Sequence, residues 1–167
     1  VKHGTQWFAS PDQILPVVQG VVIAVPTIYH QDVGLPFLEA GIPVLMEKPL
    51  ANSLQAAQSL QRMAAFRRSV LQVGHVERFN PAFELLQQKI DRPLYIRAQR
   101  VSPYTFRSTD IGVVHDLMIH DIDIILSFVR SPVSRIDANG VAVVSDSVDI
   151  ANARIQFENG CVANVTA

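Results

Sequence analysis

The sequence predicts two regions in one chain: an α/β region holding the later strands of a doubly wound parallel sheet, then the start of an α+β region on a large, open, mainly antiparallel sheet. Three observations predict it. Short apolar runs, Val21 to Val25, Pro43 to Met46 and Ser69 to Gly74, alternate with helical patterns, as strands covered on both faces of a parallel sheet do. After Pro81 the strand-like runs lengthen and alternate polar with apolar, as in Ile150 to Phe157, which suits antiparallel strands on a one-sided core. Between them, Val113 to Val129 is apolar on almost every side of a helix yet carries a polar stripe. The regions expected are residues 1–76 and 77–167.

In chain order, Ser10, Pro11 and Asp12 read as the cap and first turn of a short helix that Pro16 and Gly20 limit. Val21 to Val25 is the first strand, Pro26 to His30 its exit turn, Gln31 to Ala40 a helix, and Gly41 the stop of that helix. Pro43 to Met46 is the second strand, ending in Glu47, Lys48 and Pro49. Asn52, with Gln55 three residues later, has the form of a capping box, and Leu54, Ala57, Leu60, Gln61 and Ala64 carry a helix to about Arg68. Ser69 to Gly74 is the third strand and runs into His75, Val76, Glu77, Arg78, Phe79 and Asn80. Alternation with such short loops is the pattern of a doubly wound sheet. Its right-handed crossovers bring the strand carboxyl ends to one edge, where ligands bind. Thr27 to His30, Glu47 to Pro49 and His75 to Asn80 are the polar loops expected at that edge.

The second region begins with a helix from about Ala82 to Ile90 and an alternating strand from Leu94 to Val101. A loop from Ser102 to Gly112 precedes the helix over Val113 to Val129, and strand-like segments follow at Val133 to Val144, Ser147 to Phe157 and from Val162 onward. Glu158, Asn159 and Gly160 form a hairpin turn, after which Cys161 reads as an ordinary strand residue.

Composition narrows the function classes. Of 167 residues, 49% are apolar and 17% charged, and the 14 basic and 15 acidic residues leave a net charge of −1. Such a chain is globular and lacks the basic footprint of a nucleic-acid or anionic-membrane binder. Cys161, the single cysteine, cannot form an internal disulfide, which fits a reducing compartment. No uncharged apolar run reaches the ~18 residues that mark a membrane span, and VKHGTQW at the start lacks a signal-peptide pattern. The expectation is a soluble, cytoplasmic chain, and both of its ends read as cut.

The long helix holds the first candidate chemistry. Asp116, His120 and Asp123 stand three and four apart and form one stripe on a helix that otherwise belongs in a core. A carboxylate and an imidazole one turn apart in low dielectric either pair structurally or face a cleft. His120 has the near-neutral titration a general base for an alcohol proton needs, and Asp116 would fix its tautomer. His115 is turned away from His120 by about 140° on a helix. A metal reading of the two His and three Asp between His115 and Asp123 is weak, because only Asp116 with His120 has the spacing of a helical ligand pair.

Lys48 directly follows a buried strand and precedes a proline. An ammonium at the strand carboxyl edge can orient a hydroxyl or carbonyl oxygen; a solvated loop lysine neutralised by Glu47 is the plainer reading. Thr27, His30, His75 and Arg78 are individually weak signals, since a lone Thr or His at a strand end is usually a cap or turn residue.

Taken together, VVIAVPTIYH, VLMEKPL, VLQVGHVERFNPAF and VHDLMIHDIDIIL resemble, in order and spacing, the Gfo/Idh/MocA family of nicotinamide-dependent oxidoreductases. The resemblance implies a partial Rossmann domain over 1–76 and a partial α+β substrate and oligomerisation domain over 77–167. It implies hydride transfer between a sugar or nucleotide-sugar hydroxyl and NAD or NADP. Lys48 would touch substrate and cofactor, His120 would take the alcohol proton, and Asp116 would orient His120. Pro26, Thr27, His30, Glu47, Lys48 and His75 would line the nicotinamide and ribose side of the cofactor pocket, with Arg78 and Asn80 reaching toward substrate. The implied partners are a small-molecule substrate and further copies of the chain, a dimer or tetramer formed through the C-terminal sheet. ERFNP, HDLMIHDID and DIANARIQF are nearest in wording to branches that oxidise nucleotide-linked amino sugars. The glycine-rich G-x-G-x-x-G turn and the acidic residue of the family's second strand are absent from this sequence. A catalytically silent ligand-binding or regulatory module on the same fold, and dihydrodiol or biliverdin reduction, stay open.

Overall fold

A computed structural model describes residues 4–103 and 111–167, so much of the loop expected over Ser102 to Gly112 lies outside the described residues. The chain is α/β and divides into two compact units, Val1–Gly74 and His75–Ala167.

In the first unit, β1 (Val21–Ile23), β2 (Val44–Met46) and β3 (Leu71–Val73) form a parallel sheet in the order β1-β2-β3, with Val21 opposite Val44 and Val44 opposite Leu71. Two helices join them, α1 (His30–Glu39) and α2 (Leu54–Arg67). Alternate strand residues point to opposite faces. Ile23, Val44 and Met46 therefore enter one core with Phe37, Leu38, Ala56, Leu60 and Ala64 of the helices. Val22 and Leu45 point the other way and are 65% and 39% exposed. The expectation of strands covered on both faces thus fails within this chain, because both helices contribute to the same core.

Gly34 permits the closest approach of α1 to β2, since a Cβ there would stand 2.6 Å from Met46 Cε. Gly41 ends α1 with φ +76°, a conformation that favours glycine. The cap of α2 is Ser53, not Asn52: the helix begins at Leu54, and the Ser53 Oγ accepts from the Ala56 N–H at 3.2 Å. The short helix expected near Pro11 is a single 3-10 turn, Pro11–Gln13, with no buried residue to extend it.

The second unit has β4 (Tyr95–Gln99), β5 (Val133–Val141), β6 (Ile150–Phe157) and β7 (Val162–Thr166) in the order β4-β7-β6-β5. Only β4 and β7 are parallel. Ala151, Ala153, Ile155 and Phe157 of β6, with Ala163 and Val165 of β7, face Met118, Ile125 and Val129. Helix α3 (Pro81–Lys89) adds Phe83, whose ring meets Phe128 edge-on at 5.0 Å. β5 ends at Val141, short of Val144, because the Asp149 carboxylate accepts the N–H groups of Val143, Val144 and Ser145 at 2.8 to 2.9 Å. Cys161 follows the turn glycine Gly160, and its thiol, pushed up by burial, lies in the core.

The stretch Val113 to Val129 differs from the uniform, fully buried helix the sequence predicts. It opens as a π turn, Val114–Met118, and continues as the α-helix α4 (Ile119–Phe128). Its buried line is Met118, Asp121, Ile125 and Val129, and most of its other residues are half-buried. One face of the helix meets the sheet, which accounts for a single buried line.

Candidate functional site

Three parallel strands present their carboxyl ends at one edge of the first unit. The ladder runs one residue past β2 and β3: the Glu47 N–H donates to Ile23 O at 2.9 Å, and the Gly74 N–H donates to Met46 O at 2.7 Å. These bonds fix the backbone where Lys48 leaves the sheet. Gly74 leaves room for an acid, because a Cβ there would lie 3.1 Å from Glu47 Oε2. The same Glu47 Oε2 accepts from the Lys48 N–H at 3.3 Å. Glu47 and Lys48 are half-buried, Pro49 is buried, and the peptide joining Lys48 to Pro49 is cis.

The exit of β1 turns through a 3-10 segment, Thr27–Tyr29, entered from an exposed Pro26. Thr27 is buried, and His30 behind it is 1% exposed. The His30 ring lies between two backbone carbonyls, with Nδ1 2.9 Å from Pro49 O and Nε2 3.0 Å from Val25 O. Pro26, Thr27, His30, Glu47 and Lys48 thus all belong to the loops leaving β1 and β2 or border them.

In the second unit, the 3-10 segment Val76–Phe79 sets Arg78 against α4. Arg78 donates through Nε to Asp123 Oδ2 at 2.7 Å and through Nη2 to Asp123 Oδ1 at 2.5 Å. This hydrogen-bonded carboxylate raises the Arg78 guanidinium above its ordinary value, against a smaller opposing effect of burial. His75 Nδ1 lies 3.9 Å from Asp123 Oδ2. Asn80 caps α3, its Oδ1 accepting from the Ala82 N–H at 3.0 Å while its Nδ2 donates to Glu77 Oε2 at 3.4 Å.

The residues of the stripe read from the sequence lie in two kinds of helix. Asp116 stands in the π turn and His120 in α4, so the spacing of an unbroken α-helix does not describe the pair. Both are half-buried, and His115 is exposed. Asp123 is committed to Arg78. No group of three or more His, Cys, Asp or Glu among the described residues is arranged to hold a metal ion.

Sequence reasoning missed Asp121. It is 8% exposed, and its carboxylate accepts from Arg100 Nε at 3.1 Å and Nη2 at 2.9 Å. Its place three after Met118 and four before Ile125, on the buried line, was the available signal. Its partner, 21 positions away beyond the end of β4, carried none.

As chemistry, the first unit offers an ammonium-bearing residue on a loop anchored at the sheet edge. The second offers an imidazole on a half-buried helix and a guanidinium fixed by a carboxylate. Among the described residues no helix is long and apolar enough to cross a membrane.

Known proteins match both units. A family model described as the oxidoreductase family with an NAD-binding Rossmann fold matches residues 2–75, and one described as the GFO/IDH/MocA C-terminal domain matches residues 86–167. UDP-N-acetylglucosamine 3-dehydrogenase of Acidithiobacillus ferrooxidans is 40% identical over 161 residues, covering 96% of this chain and 51% of that protein. A solved structure of that enzyme superposes with a TM-score of 0.90 at 39% identity, over 97% of this chain and 54% of the other. The scyllo-inositol 2-dehydrogenase (NAD(+)) of Bacillus subtilis is 27% identical over 97% of this chain and 52% of its own length. This chain therefore spans about half the length of the relatives it matches.

Proposed function

Because the chain belongs to the Gfo/Idh/MocA oxidoreductase family, we propose that the protein exchanges a hydride between a sugar or nucleotide-sugar hydroxyl and NAD or NADP. The observation that carries the reading is Lys48, held at the carboxyl edge of a parallel sheet by the bond from Glu47 to Ile23 O. The carboxyl edge of a parallel sheet is where the nicotinamide end of a dinucleotide binds in such folds, and Gly74 admits the Glu47 carboxylate to that edge. Bound there, the nicotinamide would supply the hydride acceptor or donor. We assign Pro26, Thr27, Glu47, Lys48 and His75 to its site, whereas His30, buried behind Thr27, bears on it only through the backbone.

Lys48 holds the reacting oxygen with its ammonium and favours the negative charge that develops as the O–H proton leaves. His120 takes that proton, and Asp116 is the carboxylate that orients the ring and favours its charged form. Arg78, fixed by Asp123, and Asn80 are the residues we assign to the substrate side. The match to UDP-N-acetylglucosamine 3-dehydrogenase supports a nucleotide-linked amino sugar as substrate. The polar open face of the four-stranded sheet, with Tyr95, Arg97, Asn152 and Arg154 exposed, supports self-association into a dimer or tetramer. The single buried cysteine fits a cytoplasmic setting.

The test is turnover with NAD or NADP and UDP-N-acetylglucosamine in the complete protein. Lys48→Ala and His120→Ala should each lower kcat by about 10² to 10⁴ while cofactor binding holds; unchanged turnover in Lys48→Ala would sink the reading.

A further inference from the structure

His30 opens α1 and is among the most deeply buried side chains of its unit, at 1% exposure. A buried imidazole needs polar partners. Its two are the Val25 carbonyl, just beyond β1, and the Pro49 carbonyl, just beyond Lys48, at 3.0 Å and 2.9 Å. Carbonyl oxygens only accept, so the nitrogen carrying the proton decides which contact is a full hydrogen bond, and a doubly protonated ring donates to both. The Nδ1-protonated ring donates to Pro49 O, and only the doubly protonated ring also bonds Val25 O and so spans the loops that leave two neighbouring parallel strands. The contact with Pro49 O is buried and that with Val25 O partly so.

We propose that His30 is a positioning residue for Lys48, fixing the Lys48–Pro49 backbone to the start of α1 through a bond from its Nδ1–H to Pro49 O and acting through that backbone without touching substrate or cofactor. The inference rests on the role proposed above for Lys48. A displacement of about 1 Å in a catalytic group can cost about 10² in rate, and this ring ties the loop that carries Lys48 to the core at Pro49. The bond from Glu47 to Ile23 O fixes the loop before Lys48, and the His30 bond fixes it after.

The experiment compares His30→Asn, His30→Gln, His30→Ala and Lys48→Ala in the complete protein. An Asn amide reaches the Nδ1 position and keeps a donor for Pro49 O, whereas a Gln amide reaches the Nε2 position and keeps one for Val25 O. His30→Asn should stay within about fivefold of the parent in kcat, while His30→Gln and His30→Ala fall about 100-fold with cofactor Kd little changed. The Lys48 and Leu50 amides should exchange faster in His30→Gln than in His30→Asn, a readout independent of activity. Should His30→Ala not fold, the Asn and Gln variants carry the comparison. Equal kcat and equal exchange in those two variants overturns the proposal, as does a rise in cofactor Kd with kcat intact. Full turnover in Lys48→Ala overturns instead the role of Lys48; loss there with no difference between Asn and Gln at position 30 overturns only that of His30.

Discussion

Arg78 and Asp123 stand 45 positions apart in sequence and meet through two parallel N–H···O bonds of 2.7 and 2.5 Å. The pair joins the 3-10 segment after His75 to α4 and brings the same carboxylate to 3.9 Å from the His75 ring. Bidentate geometry makes this a stronger contact than most surface ion pairs. The exposed half of Arg78 returns part of that advantage to solvent. A double-mutant cycle of Arg78→Ala and Asp123→Ala, followed by denaturant unfolding, should give a coupling of about 1 kcal/mol. Strict additivity would show that the two groups do not stabilise one another in solution.

Asp121 and Arg100 make a different prediction, because Asp121 is the buried partner. Arg100→Met strands a carboxylate on the face of α4 that meets the sheet, at a cost of about 2 to 3 kcal/mol, just below the ~3 to 5 kcal/mol of fully buried pairs because Arg100 is about a third exposed. Adding Asp121→Leu should recover most of the loss, since a well-packed apolar pair often replaces a buried ion pair without penalty. Unfolding curves of the single and double variants check this, and a double variant no better than the single would contradict it.

At low pH the loop after β5 should loosen before the sheet does. The N–H groups of Val144, then Ser145 and Val143, hold the Asp149 carboxyl below the usual carboxylate range. Its charged form is thus favoured by folding. That contribution is complete above the unfolded value of about 3.9 and is lost as pH falls through the lower folded value. Amide exchange at Val143 to Ser145 should rise across that acid window in the parent and show no such step in Asp149→Asn.

Much of the fold and the edge that carries Lys48 was legible from the chain itself. Apolar runs at Val21, Val44 and Leu71, the stop at Gly41, the alternation of Ile150 to Phe157 and the turn at Gly160 all depend on residues close in sequence. Local periodicity and backbone preference therefore suffice to find them. The motif around Glu47, Lys48 and Pro49 was visible for the same reason. The cap of α2 was misread by one residue, at Asn52 in place of Ser53, because adjacent cap-forming residues differ only in where the first helical turn closes.

Tertiary structure alone decided which polar groups meet. Nothing local to His30 indicates that its ring will lie against the Pro49 carbonyl 19 positions on, nor does α4 announce that Asp121 answers to Arg100 and Asp123 to Arg78. The π turn over Val114–Met118, which puts Asp116 in a different helical geometry from His120, likewise has no local signal in the sequence. Sequence by itself determined the elements and the strand-end loops, since those follow from short-range sterics and apolar period. The partners of each charge and each buried ring follow from packing, because a buried polar group must find its hydrogen bonds wherever the fold brings them.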